Sequence, residues 1–185
     1  MIQINIISRV SEDKNFFFDV IYAIHKLQQV NINNVKILII GDIITKTLYN
    51  DLLKLIDLFN LSDQIGFTKH SIRFEDLPEH VKNGYFLNFT IGNFKGYSGI
   101  ESIKMGFKTI FYNVDKGLSI KTEFSESQCA DITSLINLFS KISTDTKSMD
   151  QLILEDNLKM RNEFILSSGD GLLLRSILTP RNTPE

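Results

Sequence analysis

Residues 92–106, Gly-Asn-Phe-Lys-Gly-Tyr-Ser-Gly-Ile-Glu-Ser-Ile-Lys-Met-Gly, join a glycine-rich turn to the start of a short helix. Gly92, Gly96 and Gly99, all before Glu101, let the backbone come close to a bound molecule, because a residue without a Cβ takes positive φ and leaves no side chain in the way. A helix opening here aims its unpaired N–H groups over the turn, and such an end favours an anion. The stretch is a candidate cradle for a phosphate or diphosphate. It also has a purely structural reading, in which Ser98 and Glu101 form a capping box and satisfy each other's backbone donors.

A diphosphate in such a cradle must be neutralised. The sequence holds no Asp-x-Asp triplet, and His25, His70 and His80 with the lone Cys129 give no metal-ligand spacing, so no metal is expected. Fixed cations must then do the work. Arg9 and Lys14, five residues apart across the turn after the first apolar segment, can reach one ligand from the loop and from the first turn of the following helix. Charged turn residues are ordinarily just solvated, so the pair by itself says little.

Other chemistries fail on inspection. The first strand runs into Ser-Arg-Val-Ser-Glu-Asp, without the Gly-x-Gly-x-x-Gly dinucleotide fingerprint, and no Gly-x-x-x-x-Gly-Lys sequence exists for a P-loop. Gly96-Tyr97-Ser98-Gly99 resembles a nucleophile elbow, but its second glycine comes one residue too early and every histidine precedes Ser98, against the order an α/β-hydrolase needs.

The elements that would position these residues alternate in type. Strands are expected over 2–7, 35–40, 65–68, 85–89 and 109–112, with a short one near 119–122. Helices are expected over 14–29, 45–59, 75–83 with Pro78 in its first turn, 131–142, and from a second capping box at Ser148 and Gln151 to about 165. Phe17, Val20, Ile21, Ile24 and Leu27 give the first helix one buried stripe, with His25 beside it. Val-Lys-Ile-Leu-Ile-Ile at 35–40 is apolar on both faces, as befits a central parallel strand covered on two sides. This alternation predicts an α/β domain with an open, mostly parallel sheet and helices on both faces, Rossmann-like, over residues 1–165, followed by a tail at 166–185. Ligands of such sheets bind outside the carboxyl ends of the strands, where the turns at 8–14, 41–42, 92–98 and 113–117 all fall.

Size and charge set bounds. A chain of 185 residues with 43% hydrophobic side chains buries one good core. Twenty Lys and Arg against 22 Asp and Glu leave a net charge of −2, so no overall field draws nucleic acid, and any anion site is local. One cysteine allows no internal disulfide, which makes the cytoplasm the natural setting. No apolar run reaches the ~20 residues of a membrane span; peripheral contact with a membrane stays open.

Taken together, Arg-Val-Ser-Glu-Asp-Lys at 9–14, the Val-Lys-Ile-Leu-Ile-Ile-Gly-Asp strand, Gly-Tyr-Ser-Gly-Ile-Glu-Ser-Ile-Lys-Met-Gly and Lys-Thr-Ile-Phe, in this order and at these distances, resemble the carboxy-terminal domain of GT-B glycosyltransferases of the family 4, or group 1, type. The resemblance implies that Arg9 and Lys14 grip the diphosphate of a nucleotide-diphosphate sugar of the UDP or GDP type, a donor substrate and not a cofactor. It implies that Glu101 holds the ribose hydroxyls, that the backbone of Gly96, Tyr97 and Ser98 meets the phosphates, and that Gly117 lies on the neighbouring rim. The family's first glutamate of Glu-x7-Glu falls on Asn93, which still hydrogen-bonds near the donor sugar but carries no charge. Asn15 stands where the family has a glycine after the arginine and lysine.

By the same resemblance the activity is that of a hexosyltransferase in polysaccharide biosynthesis, retaining and metal-independent, with a glycan or lipid acceptor. GT-B enzymes place the active site between two such domains, so an amino-terminal acceptor domain or a partner chain is expected to complete this one. A non-catalytic scaffold that kept the fold is the alternative, and Asn93 is its sign.

Overall fold

The computed structural model describes residues 1–14, 16–92, 95–115 and 125–164. Among them, strands β1 (Ile2–Ile7), β2 (Val35–Ile40), β3 (Ile65–Phe67), β4 (Tyr85–Thr90), β5 (Lys108–Asn113) and β6 (Gln128–Cys129) form one sheet in the order β3-β2-β1-β4-β5-β6. Every pairing is parallel, with Ile2 beside Val35, Ile4 beside Tyr85 and Tyr85 beside Lys108. Parallel strands need crossovers, and helices supply them.

Helices α1 (Phe17–Gln29), α2 (Lys46–Leu58) and α5 (Ile132–Thr144) cover one face, burying Phe17, Ile24, Leu52, Ile56, Leu135 and Phe139 against Ile4, Ile6, Ile37 and Tyr112. The other face carries a 3₁₀ turn (Phe74–Asp76), α3 (Glu79–Lys82), α4 (Gly96–Lys104) and the end of α6 (Thr146–Phe164), with Phe74, Val81 and Phe86 in one cluster and Ile103, Phe111 and Met160 in another. Asn31 and Asn60 take positive φ just beyond α1 and α2, a conformation asparagine tolerates at a helix end. His25 lies against Phe59, ring on ring at 4.0 Å.

Several expected boundaries are corrected. Lys14 is not in the first turn of a helix: its N–H closes a turn onto the Ser11 carbonyl at 2.8 Å, and α1 starts at Phe17, where the buried stripe begins. The helix expected over 75–83 is divided, because Pro78 has extended ψ and serves as N-cap of the short α3. Ser98 does not cap α4, which starts at Gly96 with Lys95 as its N-cap and no side-chain cap. Nor does Ser148 open α6: Asp145 accepts the Ser148 N–H at 3.2 Å, and the helix starts at Thr146. The strand expected near 119–122 and the tail at 166–185 lie outside the described residues.

Candidate functional site

The sheet order runs outward from a switch point between β1 and β4, where crossovers lead away in opposite directions and the loops after the two strands lie side by side. The first loop carries Arg9 and Lys14; the second leads into α4.

Local packing aims the first loop. Val10 is fully buried and pairs with Ile43, donating to the Asp42 carbonyl at 2.9 Å and accepting from Ile44 and Thr45 at 3.0 Å. With Val10 pointing in, Arg9 points out, its side chain 63% exposed and its guanidinium 4.0 Å from Asp13. The Ser11 hydroxyl donates to Asp13 and holds that carboxyl below its ordinary range, helped by the charges of Lys14 and Arg9. Lys14 is half-buried, with its ammonium 5.4 Å from the centre of the Phe16 ring. Phe16 in turn stacks on Phe89 of β4 at 3.5 Å. Lys14 is thus tied, through two rings, to the strand that delivers the glycine turn.

On the second loop, Gly92 donates its N–H to Asn113 Oδ1 at 2.9 Å, which joins the glycine stretch to the end of β5. Gly96 begins α4 with φ +67°, a value that favours glycine. Tyr97 is 90% exposed, Ser98 half-buried and Glu101 exposed on the first turns of the helix. Because α4 begins two residues before Ser98, the unpaired N–H groups at its tip are those around Gly96 to Ser98. Gly99 lies flat on Phe111, where a Cβ would meet Cε1 at 2.5 Å. Asn93 and Gly117 lie outside the described residues.

The structure therefore brings Arg9, Lys14 and the α4 tip to one rim at the switch point. It leaves Glu101 free of the capping role that its spacing from Ser98 suggested. Two participants escaped the sequence reading. Asn113 pins the turn, and its place at the end of a strand gave only a turn signal. Lys95, inside the glycine stretch, is 4% exposed, and nothing in the sequence marks a lysine in a turn as buried. Among the described residues no three His, Cys, Asp or Glu side chains converge on a metal position. Hollows of about 310 Å³ beside Gln3, Lys36 and His80 and of about 510 Å³ between α1 and α5 lie away from this rim. Exposed Ile44, Ile91 and Tyr97 fringe the rim itself.

The sheet order and its two helical layers define a doubly wound α/β domain of Rossmann type. No family model matches the chain, and no curated protein matches it. Solved structures do. The C-terminal domain of the group 1 family glycosyl transferase LpcC from Francisella tularensis matches with a TM-score of 0.62 at 12% identity, over 88% of this chain and 85% of that one. Alr3699/HepE from Anabaena, solved in complex with UDP and glucose, matches with 0.67 at 12% identity over 95% of this chain and 47% of its own. Sucrose-phosphate synthase from Thermosynechococcus elongatus matches with 0.65 at 14% identity over 95% and 44%. The fold is that of the carboxy-terminal half of a GT-B glycosyltransferase. The chain spans about half the length of the last two proteins.

Proposed function

We propose that this chain is the donor-binding part of a glycosyltransferase and holds a nucleotide-diphosphate sugar across the switch point. The observation that supports the reading is that the loops carrying Arg9 and Lys14 and leading into α4 follow neighbouring strands on one rim, with Lys14 linked to β4 through Phe16 and Phe89. Its fold supports the class, and the UDP bound by Alr3699/HepE supports the ligand.

In this reading Arg9 and Lys14 meet the diphosphate from one side and the N–H groups of Gly96 to Ser98 from the other, while Glu101 accepts from the ribose hydroxyls. As the bond from the sugar to the diphosphate breaks, negative charge grows on the leaving oxygen. Fixed positive ends stabilise that charge without reorganising, and no metal is needed. Asn93 and Gly117 complete the donor side by their places in the sequence. Transfer is to a glycan or lipid acceptor, with retention of configuration. An amino-terminal domain or partner chain brings the acceptor and closes over the rim where Ile44, Ile91 and Tyr97 are exposed.

Thermal melting of the 185-residue chain with UDP, GDP and ADP tests the binding half of this reading. Ligand at about 100 times its Kd stabilises by ~2.7 kcal/mol, an upward shift of roughly 5–10 °C for a domain of this size. At least one nucleotide should produce it. Three flat titrations at millimolar ligand would favour a scaffold that kept the fold and lost the donor.

A further inference from the structure

Lys95 is the least exposed lysine among the described residues. It is the N-cap of α4, with φ −83° and ψ −12°, yet its side chain does not reach out over the rim. The stem turns inward and sets the ammonium 5.0 Å from the centre of the Phe111 ring, which is 1% exposed on β5. The same ring supports Gly99 from below. The first turn of α4 thus rests on Phe111 at two points, one of them charged.

Among the described residues this charge is poorly neutralised. Phe111 clusters with Ile103 and Met160. Its register partner on β6, Gln128, has both side-chain amide atoms buried with no hydrogen-bond partner among the described residues. Glu163, at the exposed end of α6, acts on Lys95 electrostatically, while Asp156 of the same helix is occupied by the N–H groups of Glu126 and Ser127. On α4 itself, Glu101 and Lys104 are exposed. An ammonium kept among apolar groups is costly, and an apolar side chain would fill this place more favourably for the fold alone. A partner arriving from outside gives the charge a use.

We propose that Lys95 is a third cation of the nucleotide site, acting from beneath the α4 tip on a diphosphate that Arg9 and Lys14 meet from the other side. This rests on reading the rim as a nucleotide site. A lysine stem keeps its ammonium within a few ångströms of its own Cα, and that Cα immediately precedes the amides of the tip. Lys95 is 4% exposed over a ring that is 1% exposed, so little water surrounds the ammonium itself and its field is screened less than that of a surface lysine. Lys95 is then a positioning and electrostatic residue, without direct contact to the phosphates. One consequence is proton uptake. Burial has pushed the ammonium down to about 8, so near that pH part of the population is neutral, and an arriving anion draws a proton onto it.

The test is titration calorimetry at pH 8 with whichever of UDP, GDP and ADP gives the largest melting shift, run in two buffers of different protonation enthalpy. The wild-type chain should show buffer-dependent heats that report proton uptake. Lys95→Met should bind roughly tenfold more weakly, with buffer-independent heats, and should melt no lower than wild type when free of nucleotide. Lys95→Arg should regain most of the affinity. A purely structural lysine would behave otherwise, since Lys95→Met would then lower the melting point and leave the proton count unchanged. If Lys95→Met binds as tightly as wild type while Lys14→Ala is weakened, Lys95 has no part in the site and the nucleotide reading stands. If wild type binds none of the three nucleotides, that reading falls and takes this inference with it. Should Lys95→Met fail to fold, buffer-independent heats in wild type at pH 8 overturn the proposal by themselves.

Discussion

At Lys14 the ammonium rests 5.4 Å from the centre of the Phe16 ring, and no ion pair to it is found among the described residues, although its charge helps hold Asp13 down. A charge-assisted hydrogen bond from it to phosphate is worth about 1.5–3 kcal/mol. Lys14→Ala should therefore weaken nucleoside-diphosphate binding by roughly ten- to a hundredfold, measured by calorimetry. Arg9 differs, because Asp13 already faces it at 4.0 Å with both side chains more than half exposed. Such a pair contributes little to stability and is screened by salt. Asp13→Asn should leave the melting point within a degree or two and tighten nucleotide binding about two- to threefold at low ionic strength. The gain should vanish near 0.5 M salt. A gain that persists in salt would mean that Asp13 shapes the loop through Ser11 rather than competing for Arg9.

Among the elements, α4 shows best what could be read from the sequence and what could not. The glycines and the apolar positions announced a turn followed by a short helix, and the strands on either side were legible over 85–89 and 109–112 as short, mostly apolar and aromatic segments, each observed to run a residue or so further. The start of the helix was not legible. Ser98 and Glu101 satisfy the capping-box pattern, but the stacking of Gly99 on Phe111 and the inward turn of Lys95 are tertiary contacts that draw the helix start back to Gly96. Lys14 was displaced for a similar reason: burial of Phe16 beside Phe89 ties down the residues that a local pattern would have placed in α1. The pairing of the two loops was readable only as far as all strand ends share one rim; which loops are neighbours depends on strand order, and that is set by long-range packing. Gly99→Ala tests the seat of α4. The substitution gains up to about 1 kcal/mol of helix propensity but forces a Cβ against the buried Phe111 ring, a clash worth roughly 1–3 kcal/mol. The melting point should fall by a few degrees and nucleotide affinity should drop with it as the tip lifts. Phe111→Leu should relieve the clash, so the double variant should be less destabilised than the two single losses predict.

Across the whole molecule, the half of the sheet formed by β4, β5 and β6 holds three of its acids in fixed protonation states. Cys129 on β6 is buried, which pushes its thiol up to about 12 from the 9.0 of an exposed one. The Tyr85 and Tyr112 hydroxyls, raised by burial first and then by donating to Asp150 and Asp19, are likewise kept protonated. For each of these acids the folded chain holds its proton more tightly than the unfolded chain, so their contribution is complete at neutral pH and is lost as pH rises above the unfolded value. Lys95 works in the opposite sense: its folded value of about 8 lies below the 10.5 of a free lysine, so the unfolded chain binds more protons between the two and stability gains there as pH rises. The wild-type profile mixes these slopes, and single variants separate them. Urea unfolding of Cys129→Ala beside wild type should show the stability difference moving by about 1.4 kcal/mol in favour of the variant between pH 8 and pH 10, since pH 10 lies one unit above the free thiol's value. Lys95→Met should move the other way over the same interval, its advantage over wild type shrinking as the wild-type ammonium deprotonates. If the Cys129→Ala difference stays level across that range, the thiol is not sealed in the sheet, and the edge formed by β6 opens to water in solution.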